Sequence, residues 1–174
     1  MKTYRLFHKS TDFKSINLKG TALENALSAT PFAVHYEDFC DTNYSWVDEK
    51  DMNSDAPFID GCIPVLSQKA FDVLSPLFNK LSKTVRIHVN GEPYYIVYGE
   101  QIIEGALNEE KSRIRYFRDG RIMQIKEYAI NDKPYPYIFK IKEYLTFDFV
   151  TEDVIRKIDE AGLKGFDWEE CTMV

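Results

Sequence analysis

Histidine and cysteine are scarce in this chain, at three each in 174 residues. His8, His35 and His88 stand far apart, and none combines with Cys40, Cys62 or Cys171 at zinc-finger or HExxH spacing. No metal is therefore expected. An odd number of widely spaced cysteines reads as reduced thiols in a cytoplasmic protein rather than as a disulfide framework. The eight glycines form neither GxGxxG nor a phosphate loop, so no cofactor is expected. No uncharged run approaches the roughly 18 residues of a membrane span. The opening MKTYRLFHKS has no apolar core of signal-peptide length. Internal repeats and low-complexity tracts are also lacking.

What is present suits a packed domain. Hydrophobic residues make up 44% and aromatics 14%, enough apolar area to offset the ordering entropy. The length fits a single domain over residues 1–174. The net charge of −6 argues against a general nucleic-acid binder and favours a basic partner.

The local signals alternate between strand and helix without regular βαβ order. Thr3 to Phe7 reads as a first strand. Thr21 to Ala29 reads as a short helix, with Thr21 and Glu24 at capping-box spacing. Phe32 to Phe39 suits a strand, and so does Ile63 to Leu66. Ser67 is then placed to cap a helix carrying Ala70, Phe71, Leu74, Phe78 and Leu81 on one side. Pro76 inside that pattern predicts a kink or break near Ser75. Thr84 to Val89 and Tyr94 to Tyr98 flank Asn90-Gly91, a strong hairpin signal. Ile102 to Leu107 is apolar and fits either element type.

A second hairpin is expected around Asp119-Gly120. A two-residue turn there pairs Tyr116 with Met123 and Ile114 with Ile125 on one face. The other face then holds Arg115 with Gln124 and Arg113 with Lys126. Tyr135 to Ile141 and Leu145 to Val150 add two more strands. Phe147 to Glu169 closes the pattern. Thr151 is the expected N-cap, and Val154, Ile155, Ile158 and Ala161 share a helical face. Gly162 is the expected stop, with Leu163 folding back on Ile158. The fold class is α+β: a mainly antiparallel sheet built from hairpins, with about three helices.

Charge is segregated along the chain. Residues 37–55 hold seven acids and one base, a surplus equal to the whole net charge, and read as an acidic surface loop region. Between Lys111 and Lys126 there are six bases and one acid, with Tyr116 and Phe117 among them. Such interleaving suits single-stranded nucleic acid. A solvated strand face, or pairing with the acidic loop, is the commoner reason for it.

Two stretches resemble known sequence signatures. Ile103 to Ser112, reading IEGALNEEKS, is similar to a segment in which an apolar run leads to Leu-Asp/Asn, polar residues and Ser. Asn108 stands where Asp is more typical. Phe147, Thr151-Glu152, Ile155, Ile158, Gly162-Leu163, Gly165 and Trp168 resemble a C-terminal strand, capped helix and Gly-Leu-x-Gly-aromatic close. Together with the Ser67 helix, this order, spanning residues 63–168, resembles an immunity-protein family of bacterial polymorphic toxin systems. The resemblance implies a small cytoplasmic protein that binds and blocks a cognate toxin domain by occlusion, without catalysis. It assigns no contact residues and no catalytic ones.

The contact expected from the residues themselves is the acidic segment. Asp38, Asp41, Asp48, Glu49, Asp51 and Asp55 would meet a toxin with a basic surface, with Tyr44 and Trp46 as aromatic anchors. The rival readings are a structural or regulatory interaction module with no toxin partner, and a small enzyme whose site is assembled from dispersed residues.

Overall fold

A computed structural model describes residues 2–9, 11–19, 21, 24, 43–47, 52–59, 62–78 and 80–174. Strands β1 (Thr3–His8), β2 (Ile16–Asn17), β3 (Asn43–Trp46) and β4 (Val65–Ser67) precede helix α1 (Gln68–Phe78). Then come β5 (Ser82–Val89), β6 (Glu92–Gly99), β7 (Ile102–Ile103), β8 (Arg113–Tyr116) and β9 (Ile122–Glu127). Next are β10 (Ala129–Ile130), β11 (Ile138–Ile141) and β12 (Tyr144–Thr151). Helix α2 (Glu152–Glu160), β13 (Phe166–Glu170) and β14 (Thr172–Met173) complete the chain.

The first sheet has the order β13-β1-β12-β11-β7, and the second β2-β3-β5-β6-β4. Two further ladders, β10–β14 and β8–β9, stand by themselves. Among the described strands, parallel pairing is confined to β3–β5, β7–β11 and β10–β14, with one isolated parallel bridge between Phe13 and Met52. The fold is a single α+β domain, mostly sheet.

Neighbouring residues in a strand point to opposite faces, and each large sheet carries buried side chains on both faces. Ile138 and Val150 of the first sheet share a core with Leu66 and Val97 of the second. Leu74 and Phe78 of α1 and Val154 and Ile158 of α2 fill the same core. On the other face of the first sheet, Phe139, Ile141 and Phe149 pack with Tyr128 and Tyr135. On the other face of the second, Val89 and Ile96 pack with Tyr44 and Trp46. This double coverage is why every residue of β11 is buried, Lys140 included. Lys140 Nζ sits 3.0 Å from Asp148 Oδ2. A side chain at Gly99 would meet the other oxygen of Asp148 at 2.6 Å, so glycine is what lets the two sheets approach at this corner.

Several local expectations change in the structure. Two helices are seen among the described residues, against about three expected. The helix expected over 21–29 and the strand over 32–39 lie largely outside the described residues. Within the first of these, the Glu24 backbone N–H does donate to Thr21 Oγ1 at 3.1 Å. Pro76 lies within α1, which runs unbroken to Phe78. Its missing N–H falls in the last turn, where only one helix bond is lost.

Thr151 is the N-cap of α2, yet its hydroxyl makes no cap bond and is buried with no partner among the described residues. Thr151 is also the last residue of β12, paired with Thr3. The Lys2 carbonyl accepts the Glu152 N–H at 3.2 Å in place of a cap. The helix stop follows expectation. Gly162 has φ 58°, and its N–H donates to Asp159 O at 3.1 Å. The Leu163 N–H donates to Ile158 O at 3.1 Å, the paired bonds of a Schellman close.

Candidate partner-binding surface

The expected anchors are part of the core. Tyr44 and Trp46 are only 6% and 7% exposed. Asn43-Tyr44-Ser45-Trp46 alternates exposed and buried along β3 and pairs in parallel with β5. Trp46 meets the Tyr94 ring edge-on at 5.5 Å. The surface-loop reading of residues 37–55 is therefore corrected at 43–46. The ladder partner lies 45 residues downstream, Asn43 pairing with His88, where a local reading does not look.

Asp55 is also built into the fold. One carboxylate oxygen accepts the Ser67 hydroxyl at 2.8 Å and the other accepts the Lys164 N–H at 2.9 Å. Ser67 Oγ in turn accepts the Ala70 N–H at 3.2 Å, so Asp55 ties the start of α1 to the turn after α2. Beside it, Gly165 has φ 89°, and a side chain there would strike Ser54. His8 Nδ1–H donates to the Ala56 and Gly165 carbonyls at 2.8 and 3.2 Å, and burial lowers the pKa of its ring. Asp38, Asp41, Asp48, Glu49 and Asp51 lie outside the described residues.

Of the exposed large apolar side chains among the described residues, Met52, Ile102, Tyr137 and Leu145 lie apart from the β8–β9 hairpin, and Tyr116, Phe117 and Met123 lie on it. Its base is held by the IEGALNEEKS stretch. The Asn108 N–H donates to Ala129 O at 2.8 Å, and Asn108 Oδ1 accepts the Lys111 N–H at 3.1 Å. Ser112 Oγ accepts the Ala129 N–H at 2.9 Å and donates to Ala129 O at 3.3 Å. Leu107 bridges Ile130, and Ile125 is buried against the third core with Ile114 packed alongside.

The tip differs from the two-residue turn expected. The Gly120 N–H donates to Phe117 O at 3.1 Å and the Phe117 N–H to Arg121 O at 2.8 Å. Gly120 takes φ 84°. This is a three-residue loop in which glycine supplies the left-handed position. Ile114 pairs with Ile125 and Arg115 with Gln124, as expected, but Tyr116 pairs with Ile122 and Arg113 with Glu127. Met123 and Lys126 are the extra residues of two bulges in β9. Bulges bend a strand and re-aim its side chains.

Three large apolar side chains then stand in water: Tyr116 at 45%, Phe117 at 46% and Met123 at 37% exposed. Arg113 pairs with Glu127 at 3.0 Å and Arg121 with Asp119 at 2.8 Å. The hydrogen bond from Arg121 holds the Asp119 carboxyl below its ordinary range. The Arg121 guanidinium also lies 5.5 Å from the Phe117 ring centre. The Tyr116 hydroxyl donates to Glu109 at 3.1 Å. Lys111, Arg115, Arg118 and Lys126 make no ion pair among the described residues. The aromatic–basic interleaving flagged this strip in the sequence; its exposure was not legible there.

Elsewhere an open cleft of about 650 Å³ is lined by Lys2, Asp132, Glu170, Cys171, Thr172 and Met173. Lys2 is paired with Glu170 at 2.9 Å. Burial pushes the Cys171 thiol up to about 12, so at neutral pH it is protonated and a poor nucleophile. Among the described residues no three His, Cys, Asp or Glu side chains gather in a group that could hold a metal ion. No described helix is long and apolar enough to cross a membrane. No protein-family model matches the chain, and no curated protein matches it.

Proposed function

We propose that this chain is an immunity-type protein of the cytoplasm that binds a cognate bacterial toxin domain and blocks it by occlusion, without catalysis. The observation that carries the reading is the β8–β9 hairpin, which holds Tyr116, Phe117 and Met123 exposed on a hydrogen-bonded base. Apolar area left in water is free energy that a partner recovers, at about 25 cal/mol per Å² covered. Exposed apolar groups rimmed by polar ones mark interaction sites. The resemblance of residues 63–168 supports the same reading, because one of its two motifs forms the base of the hairpin. With Tyr44, Trp46 and Asp55 committed to the fold, the contact is assigned to the hairpin rather than to the acidic segment.

The test is rescue of growth. A toxin domain encoded beside this chain is expected, and that domain is expressed in a bacterial host with wild-type protein or with Phe117→Ser/Met123→Ser. Wild type should restore growth and bind the toxin one to one. The double variant should keep its thermal midpoint and lose protection. Absence of rescue by wild type would sink the immunity reading, and full rescue by the variant would remove the hairpin from it.

A further inference from the structure

We infer that the β8–β9 hairpin is built for a protein face carrying carboxylates around an apolar pocket. This rests on the hairpin being the contact surface, but not on the partner being a toxin.

Charge is the first argument. The 16 residues from Lys111 to Lys126 carry six cations and one acid, on a chain of net charge −6. Arg121 is matched by Asp119, and Arg113 by Glu127 just beyond the strip. Arg115, Arg118 and Lys126 are exposed and are left for an external anion.

The shape of β9 is the second argument. A partner adding a strand needs a regular edge with a row of free backbone groups. The two bulges at Met123 and Lys126 interrupt that edge. Met123 and Lys126 are both exposed there, so β9 offers side chains rather than a regular backbone row.

The third argument separates a protein from a nucleic acid. Carboxylates are spaced along the strip: Glu109 at the Tyr116 hydroxyl, Asp119 at the tip and Glu127 at the base. A phosphate backbone tracking the cations would meet each of them. A folded protein face can present a base opposite an acid and an acid opposite a base. Phe117 also has the Arg121 guanidinium over its ring, which leaves less open ring for base stacking.

The experiment uses the full chain and four defined probes. These are a 4:1 glutamate–tyrosine copolymer, polyglutamate, polylysine and a 20-nucleotide oligothymidine. Binding is measured at 50 and 200 mM salt, and amide shifts of ¹⁵N-labelled protein locate the contact. The copolymer should bind best, with shifts centred on residues 113–127 and weaker binding at the higher salt. Arg115→Glu/Arg118→Glu/Lys126→Glu should weaken it about tenfold or more, three exposed pairs being lost. Phe117→Ser/Met123→Ser should bring the copolymer down to the level of polyglutamate. Far-UV spectra and thermal midpoints check that both variants remain folded. Oligothymidine binding more tightly at the same residues would overturn the proposal in favour of nucleic acid. Polylysine binding as well as the copolymer would overturn it too, as would copolymer shifts elsewhere or copolymer binding unchanged by charge reversal. A chain that binds the copolymer at the hairpin but rescues no toxin leaves this inference standing and removes the immunity reading. Rescue without copolymer binding does the reverse.

Discussion

Two hairpins in this molecule begin from nearly the same signal and end in opposite roles. Asn90-Gly91 closes β5–β6 with φ of 49° and 86°, the doubly positive pair that a two-residue turn requires. Its strands pair without a slip from Val89–Glu92 to Ser82–Gly99. Asp119-Gly120 closes β8–β9 with a longer loop, two bulges and two exposed aromatics, Tyr116 and Phe117. The difference lies in neighbours. β5 has β3 on its other side and β6 has β4, so register is held from both edges, and the Ile87, Val89 and Ile96 face is buried. Among the described strands β8 and β9 pair only with each other, and packing restrains them mainly through Ile125 and the Ser112 base. A hairpin inside a sheet serves the core, while one outside a sheet is free to serve a surface.

The largest expected effect contrasts burial. Ile96, fully buried in β6, should lose about 2–5 kcal/mol of unfolding free energy on Ile96→Ala. Phe117→Ala should stay within about 0.5 kcal/mol. Urea melts compare them, and similar losses would mean that the second hairpin is part of the core after all.

The turns come next. Gly91 and Gly120 have φ of 86° and 84°, and a valine at either is strained by about 1–3 kcal/mol. Gly91→Val should lower global stability by that amount. Gly120→Val should lower it by less than about 1 kcal/mol, because a hairpin without lateral neighbours loosens locally. Equal shifts in midpoint would deny that the second hairpin opens independently.

The effect expected at the base is local and small in global stability. Ser112→Ala removes the acceptor for the Ala129 N–H and should cost about 1–3 kcal/mol in the stability of the hairpin. Hydrogen exchange should quicken across 113–127 and stay unchanged in β5–β6. Acceleration throughout would show that the base belongs to the global unfolding unit.

The shallowest effect is acid dependence. Burial lowers the folded-state pKa of His8 below its unfolded value. Its contribution is therefore complete above about pH 6.5, the unfolded value, and is lost as pH falls from there through the folded value. His8 fastens β1 to residues 56 and 165, so the decline should be seen in the body before the hairpin. Melts between pH 7 and 5 on wild type and His8→Gln check this, and identical slopes would assign the acid sensitivity to other groups.

Much of the core and little of the candidate surface could be read from the residues alone. Asn90-Gly91, Gly162 and the apolar face of Val154, Ile155 and Ile158 were determined by the sequence itself. Left-handed glycines and helical periods are encoded within a few residues and work wherever the chain places them. The same local logic named Thr151 as a cap by type, but tertiary pairing with Thr3 turned its hydroxyl into the interior. Only the assembled fold decided that Tyr44 and Trp46 would be covered, because the strand beside them is β5. It also decided that Asp55 would hold two elements together, and that Tyr116, Phe117 and Met123 would stay uncovered. Whether a side chain is core or contact depends on what lies across from it, and in this fold those neighbours come from distant parts of the chain.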